Sequence, residues 1–478
     1  MKSALVLVVV GSLSALTAQA ADPLVWPRFR GPEGAGVAEG ERPPVKFGPK
    51  QNVKWQVAIP SGMSSPIVAG DLLVITAVED EQLYTLAYRR SDGREVWRAK
   101  APATKLEPFH QQLGSPAAST PATDGTRIVS YFGSCGLVCY DLTGQELWRY
   151  ELPPAAMFGN FGSGVSPIIA DGLVVLVRDE SKAPRIVALD ATTGTLRWER
   201  PRQSRTSYCT PIVWETPAGR QLVSAGHARM IGYDLKTGSE RWSLKGVPSG
   251  CCTSPVAGEG QLYFSGWSPG GPDDKENQMP AFDDLLGMAD ANKDQILSRE
   301  EAQNTFLKDF FDSNDANGDG DLTREEWDGL LKMMAEGESA AFALKSGGMG
   351  DISKSHVLWK KTKGMSQVSS GLLYRGQYVM VKDGGIVTAC DAKTGDVLYQ
   401  QRLAAQGSYY ASPVAANGLI YLVALETGAF TVLKAGARQP EVVASNEDLG
   451  ERVGATPALA DNALYVRTDR RLIAFAEE

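Results

Sequence analysis

Histidine is almost missing from this chain. Three residues, His110, His227 and His356, lie far apart in 478. With no HxxxH and no CxxC, the spacing offers no zinc site. There are six cysteines, Cys135, Cys139, Cys209, Cys251, Cys252 and Cys390, and a chain this long does not depend on disulfide staples as a small secreted domain does. No nucleophile elbow and no phosphate-binding loop occurs, so two common catalytic signatures are excluded. There is no concentrated basic stripe and no aromatic–basic RNA motif, which excludes nucleic acid as an expected partner. Past the first twenty residues no apolar run is long enough for a transmembrane helix, so no membrane span is expected.

The first twenty residues have a processing pattern of their own. Lys2 precedes an apolar run that begins at Leu5–Val10, and Ala18-Gln19-Ala20 forms an A-x-A cleavage signal. Residues 1–20 therefore read as a signal peptide, and the protein is expected to be periplasmic or secreted after cleavage.

What is abundant is repetition. Ser65-Pro66, Thr120-Pro121, Ser166-Pro167, Thr210-Pro211, Ser254-Pro255, Ser370-Gly371, Ser412-Pro413 and Thr456-Pro457 recur at steps of 55, 46, 44, 44, 116, 42 and 44 residues. A period near 44 predicts stacked supersecondary units of propeller-blade size. Each unit shows short apolar runs separated by Gly or Asp turns, and most end in a turn followed by a bulky aromatic. The turns read YDLTGQELW at 140–148, LDATTGTLRW at 189–198, YDLKTGSERW at 233–242 and CDAKTGDVLY at 390–399. Glycine supplies the positive φ of a tight hairpin, and the aromatic is expected to pack between neighbouring units.

These turns resemble the tryptophan-docking motif of the pyrroloquinoline-quinone-like propeller repeat family, roughly A-x-D-x-x-T-G-x-x-x-W. The resemblance covers nearly the whole mature chain. It implies an all-β fold, an eight-bladed β-propeller, in a family that holds both dehydrogenases and assembly scaffolds. The run Asn52–Val57 reads as an outer strand with no unit before it, while the last unit lacks one. The two ends are therefore expected to share blade eight and close the ring. The expected organisation is an N-terminal arm over 21–51, propeller over 52–267 and 342–478, and an insertion over 268–341 between the second and third strands of blade five.

The insertion carries most of the acidity. Residues 268–341 hold 19 acids and 6 bases, whereas the whole chain has a net charge of −8. The segment Asp315–Glu326 fits D-x-[DN]-x-[DN]-G-x5-E at every defined place. Calcium takes six to eight hard oxygens, and a twelve-residue loop can wrap them around it. Asp315, Asn317, Asp319, Asp321 through its carbonyl, Thr323 and Glu326 are the expected ligands. Asp290, Asn292, Asp294, Ile296 through its carbonyl, Ser298 and Glu301 form a second set, in which Gln295 replaces the turn glycine. A non-glycine residue held at positive φ costs on the order of 1 kcal/mol, so this loop is expected to bind more weakly. Apolar residues flank both loops at helical spacing, and one short helix is expected to join them. The segment resembles an α-helical EF-hand pair in a compact bacterial arrangement.

The adjacent Cys251 and Cys252 precede the first strand of blade five. Quinone-dependent dehydrogenases of the resembled family carry a vicinal disulfide near their cofactor; two small buried thiols are the alternative. His110 lies in a loop near the channel mouth and reads as structural, and Met63, Tyr409 and Tyr410 are placed near the channel by position alone. The function expected is that of an exported calcium-binding recognition or scaffold module acting with an envelope or extracellular protein. An oxidoreductase using pyrroloquinoline quinone is the alternative. Ca2+ is the expected cofactor, and no quinone-dependent activity is expected, because no ligand set for the quinone can be assigned.

Overall fold

The 44-residue period resolves into eight antiparallel sheets arranged around one axis in this computed structural model, which describes residues 25–181, 183–269, 278–315 and 318–477. The predicted signal peptide and the expected ligand Asn317 lie outside the described residues. Blade one is typical, with strands Ile67–Ala69, Leu72–Glu79, Gln82–Arg89 and Glu95–Lys100. Its inner strands are apolar on both faces because a neighbouring blade covers each face. The outer strand is mostly exposed and charged, which protects the sheet edge from further pairing. Blade eight joins Ala458–Ala460, Ala463–Arg467 and Arg471–Phe475 to the N-terminal strand Val53–Ala58. Trp55 opposes Ala474 there, so the first strand completes the last blade and closes the ring.

The repeated Ser/Thr has a single structural role. The backbone N–H of Ser65 donates to the Thr120 hydroxyl, Thr120 to Ser166, Ser166 to Thr210 and Thr210 to Ser254. Ser254 then donates to Ser370, Ser370 to Ser412, Ser412 to Thr456 and Thr456 back to Ser65. All eight bonds measure 2.9–3.1 Å and form one closed circuit around the axis. A buried N–H needs a partner, and here the next blade supplies it. Ser370 stays in the circuit although Gly371 follows it in place of proline. A Cβ at position 371 would lie 2.3 Å from the Tyr378 hydroxyl.

The aromatic ends of the units tie each blade to the next. Trp55, Trp97, Trp148, Trp198 and Trp359 donate their indole N–H to the carbonyls of Arg90, Leu142, Ala191, Leu235 and Ala392 at 2.8–3.1 Å. Each indole lies against a turn glycine, such as Gly194 at φ 70°, where a Cβ would come within 2.6 Å of Trp148. The turn aspartates Asp141, Asp190, Asp234 and Asp391 accept N–H bonds from their own turns. Their carboxyl pKa values are lowered, chiefly by the Thr143 hydroxyl at Asp141, the Arg241 guanidinium at Asp234 and the turn N–H groups at Asp190 and Asp391.

Trp242 departs from the expected packing between units. Its indole donates to Gln221 Oε1 of its own blade at 2.7 Å and lies over Gly232, whose added Cβ would sit 2.1 Å from the ring. The five docking tryptophans oppose Ala474, Ala87, Cys139, Ala188 and Ala343, so glycine at 232 makes the room. The cause lies in blade five, whose third and fourth strands, Ala340–Lys345 and Val357–Lys361, are joined by a loop without the Thr-Gly turn. Gly350–Asp351 of that loop instead pairs in parallel with Trp242–Ser243 as a fifth strand of sheet four.

Between Gln261–Gly266 and Ala340–Lys345 of blade five lies a helical segment: α1 (Phe282–Ala289), α2 (Arg299–Ala302), α3 (Phe311–Asn314) and α4 (Arg324–Ala335). The single linking helix expected between the two acidic loops is absent. Thr305 breaks it, because its hydroxyl accepts the Leu307 N–H and donates to the Ala302 carbonyl, and a 3-10 turn over Phe306–Asp309 follows. Phe282, Leu285, Leu297, Leu307, Phe311, Leu322, Trp327 and Leu330 form a separate small core for this segment.

Candidate functional site

The two acidic loops are built alike. Asp290 ends α1 and accepts N–H bonds from Lys293 at 2.7 Å and Gln295 at 3.1 Å. Asp315 ends α3 and accepts from Gly318 at 2.7 Å and Gly320 at 2.9 Å. Asn292 Oδ1 accepts from the Asp294 N–H, Asp294 Oδ1 from Ile296, and Asp319 Oδ1 from Asp321. The sixth residue of each loop has positive φ, 68° at Gln295 and 91° at Gly320. Gln295 therefore adopts the strained conformation that its sequence position implied.

The loops are joined through their eighth positions. Leu297 opposes Leu322 and Ser298 opposes Asp321 in a two-stranded antiparallel ladder, and both leucines are fully buried. The twelfth residues cap the following helices. Glu301 accepts the Ser298 N–H and hydroxyl at 2.9 and 2.7 Å, and Glu326 accepts the same pair from Thr323 at 2.9 and 2.8 Å. These bonds lower the Glu301 pKa. The predicted donors are all oxygens, a hard set suited by chemistry to calcium or magnesium. In this geometry the carboxylates turn onto their own loop amides. Among the described residues no three Asp, Glu, His or Cys side chains converge on a metal-sized point.

The segment does not stand free of the propeller. Phe310, just before α3, packs between Phe158 and Phe161 with centroid separations of 6.0 and 6.2 Å. Phe158–Phe161 belong to the loop joining blades two and three, and Phe161 stacks on His110 at 5.8 Å. His110 Nδ1 accepts the N–H groups of Gln112 and Leu113, so it shapes its own loop. These connections precede the inner strands and the hydroxyl circuit, which puts the helical segment over the end of the channel where those strands begin.

Beneath that end sits a buried polar layer that sequence spacing did not reveal. Glu107 is 1% exposed and accepts the Ser163 hydroxyl at 2.7 Å. Burial pushes its carboxyl up to about 7. Asp179 takes two bonds from Arg202, at 2.7 and 3.1 Å, and one from the Ser207 hydroxyl at 2.6 Å. The Tyr208 hydroxyl is buried without a partner among the described residues. Cys251 and Cys252 carry free thiols in this structure, as do the other four cysteines. Burial pushes Cys251 well up and Cys252 to about 11, so neither is an activated nucleophile. None of these residues belongs to a short motif; only the fold brings them together.

The comparisons bear on the propeller. A family model described as outer membrane protein assembly factor BamB matches residues 85–250 and 350–477. The stretch between the two matches contains the helical segment. No curated protein matches the chain. Among solved structures, BamB from Moraxella catarrhalis is similar over 88% of this chain and 98% of its own, at 14% identity and a TM-score of 0.54. A europium-containing methanol dehydrogenase is similar over 93% of this chain and 89% of its own, at 12% identity and a TM-score of 0.54. A quinohemoprotein alcohol dehydrogenase from Pseudomonas putida is similar over 95% of this chain and 80% of its own, at 9% identity and a TM-score of 0.55. At such identities the solved structures speak for the propeller alone. Among the described residues no helix is long and apolar enough to cross a membrane. Because the family match spans more than half of the chain and falls on the blades themselves, the protein belongs to the β-propeller family described as outer membrane protein assembly factor BamB.

Proposed function

We propose that this protein is an exported calcium-binding β-propeller that serves as a recognition or scaffold module in the cell envelope or outside the cell. The observation that carries the calcium reading is the pairing of the two loops at the same position, Leu297 against Leu322. This ladder couples two oxygen-rich loops into one unit, and each has the twelve-residue length that can wrap calcium. Asp315, Asn317, Asp319, Asp321, Thr323 and Glu326 form the tighter site, and Asp290, Asn292, Asp294, Ile296, Ser298 and Glu301 the weaker one. The scaffold reading draws on family membership, since the matching family is described as an outer membrane assembly factor. Titration calorimetry on the purified protein should show two calcium events. Glu326→Gln should abolish the tighter one, and calcium binding unchanged by that substitution would overturn the assignment.

A second reading, a dehydrogenase using pyrroloquinoline quinone, draws on the adjacent Cys251 and Cys252 and on the two dehydrogenases among the similar structures. It requires a metal and a base beside a bound cofactor. The acidic loops sit on the insertion between the second and third strands of blade five, and we assign no such groups in the channel. Reconstitution with calcium and the quinone, assayed on alcohols and sugars with an artificial electron acceptor, should give no turnover. Turnover that is lost when both cysteines become serine would favour this second reading.

A further inference from the structure

The opposite end of the channel is closed by the N-terminal arm. The carbonyl of Trp26 accepts the Val68 N–H, that of Pro27 accepts Thr123, and that of Gly36 accepts Ala415, each at 2.8 Å. These three acceptors serve the inner strands of blades one, two and seven, beyond the hydroxyl circuit. Where the arm crosses the axis it carries Arg30, which has no exposed surface. Arg30 Nη2 donates to the Gly371 carbonyl at 2.6 Å, while Nε and Nη1 have no partner among the described residues.

Other buried arginines are treated differently. Arg202 is paired with Asp179, Arg178 with Glu180, and Arg28 reaches Glu33 at 3.5 Å. Arg467 has no carboxylate partner among the described residues, but its Nη1 makes three bonds to oxygens of Ser64 and Thr76. Arg30 has one bond for five N–H donors and, among the described residues, no ion pair. Burial lowers its pKa to about 10, so it remains cationic at neutral pH. An isolated buried guanidinium is costly until something negative or strongly accepting meets it. Arg30 lines a cavity of about 10 Å3, together with Arg28, Ile212, Thr210 and Ser254. That is room for one small species. The Thr210 and Ser254 hydroxyls already accept N–H bonds from the circuit, which leaves each O–H able to donate.

The geometry points to a small monovalent anion of the halide class, chloride in practice, bound in this cavity by Arg30 Nε and Nη1, where it pins the arm across the channel floor. The donors are the N–H of Arg30 Nε, the two N–H of Nη1 and two hydroxyls, with no carboxylate among the lining residues, so a cation is disfavoured. The volume excludes sulfate, phosphate and any carboxylic acid.

Two measurements on the full chain test this. Thermal melts are recorded at constant ionic strength while sodium gluconate is replaced stepwise by sodium chloride. The wild-type midpoint should rise and saturate, by about 2–3 °C for a chain of this size at chloride well above its dissociation constant. Arg30→Met, which keeps the apolar stem and removes the charge, should show no such rise. Crystals soaked in sodium bromide should give an anomalous peak within hydrogen-bonding reach of Arg30 Nε or Nη1. No chloride dependence, or an equal dependence in Arg30→Met, would overturn the proposal, as would a bromide-soaked cavity that holds only a water. If Arg30→Met does not fold, the bromide experiment on the wild-type protein decides alone.

Discussion

The propeller and its helical insertion solve the same problem in different ways. Each blade buries its apolar faces against two neighbours, and its unpaired N–H groups are satisfied by the next repeat, as in the eight-membered hydroxyl circuit. The insertion has no neighbour of its own kind. It makes a private core around Trp327 and touches the ring chiefly through Phe310. Stability in the ring is therefore shared between blades, whereas in the insertion it is local. The contrast also explains the atypical junction of blades four and five. There the docking turn is lost, and Trp242 folds back into its own blade while Gly350–Asp351 seals the gap.

The largest expected effect breaks the two regions apart. Trp148→Ala removes an indole that bridges blades two and three, and should cost the propeller about 3–5 kcal/mol, read as a lower denaturation midpoint. Trp327→Ala should cost the insertion a similar amount locally while the main β-sheet transition stays in place. Replacing Pro269–Glu338 by a short Gly-Ser join should likewise leave cooperative β-sheet melting. A common loss of the main transition in all three variants would merge the two regions into one folding unit.

A smaller effect lies at their boundary. Glu107 has its pKa raised to about 7 against an ordinary 4.5, so the folded state holds a proton that the unfolded chain has released. Its contribution is thus present below the unfolded value and lost as pH rises toward about 7. Stability should fall across that window by on the order of 3 kcal/mol from this group. Glu107→Gln should flatten the midpoint-versus-pH curve there. An unchanged slope would remove Glu107 from the account.

Within the insertion the two loops differ by one turn residue. Gln295→Gly relieves a positive φ of 68° and should strengthen calcium binding at the first loop by about 1 kcal/mol, measured by calorimetry, with the second loop unaffected. The mildest change is Phe310→Ala, which should loosen the insertion from the loop carrying Phe158 and Phe161 by about 1 kcal/mol. Faster hydrogen exchange in that loop, with calcium affinity unchanged, would show the contact to be a docking contact only.

Much of the ring was legible before any coordinates. Short apolar runs, glycine in hairpin turns and a fixed unit length are local properties, and local properties survive in a single chain. The Ser/Thr-Pro signals marked the inner strands, and the lone strand before the first unit marked the closure with blade eight. The acidic spacing of Asp290–Glu301 and Asp315–Glu326 was equally plain as a pattern of oxygen donors. The linking helix was misjudged because Thr305 competes for backbone groups through its hydroxyl, a choice that apolar spacing does not register.

Tertiary structure alone decided which partners those residues meet. Nothing local says that the Ser65 hydroxyl receives an N–H from Thr456, 391 positions away, or that Arg30 reaches the carbonyl of Gly371. Gly371 stands where the other repeats carry proline, and only the ring shows it making room for Tyr378, as Gly232 makes room for the Trp242 indole. Glu107 and Ser163 are unremarkable in sequence and form a buried pair only after three blades are in place. The physical reason is the same throughout. Propensity and periodicity act over a few residues, while burial, desolvation and the pairing of polar groups depend on what the closed ring brings alongside.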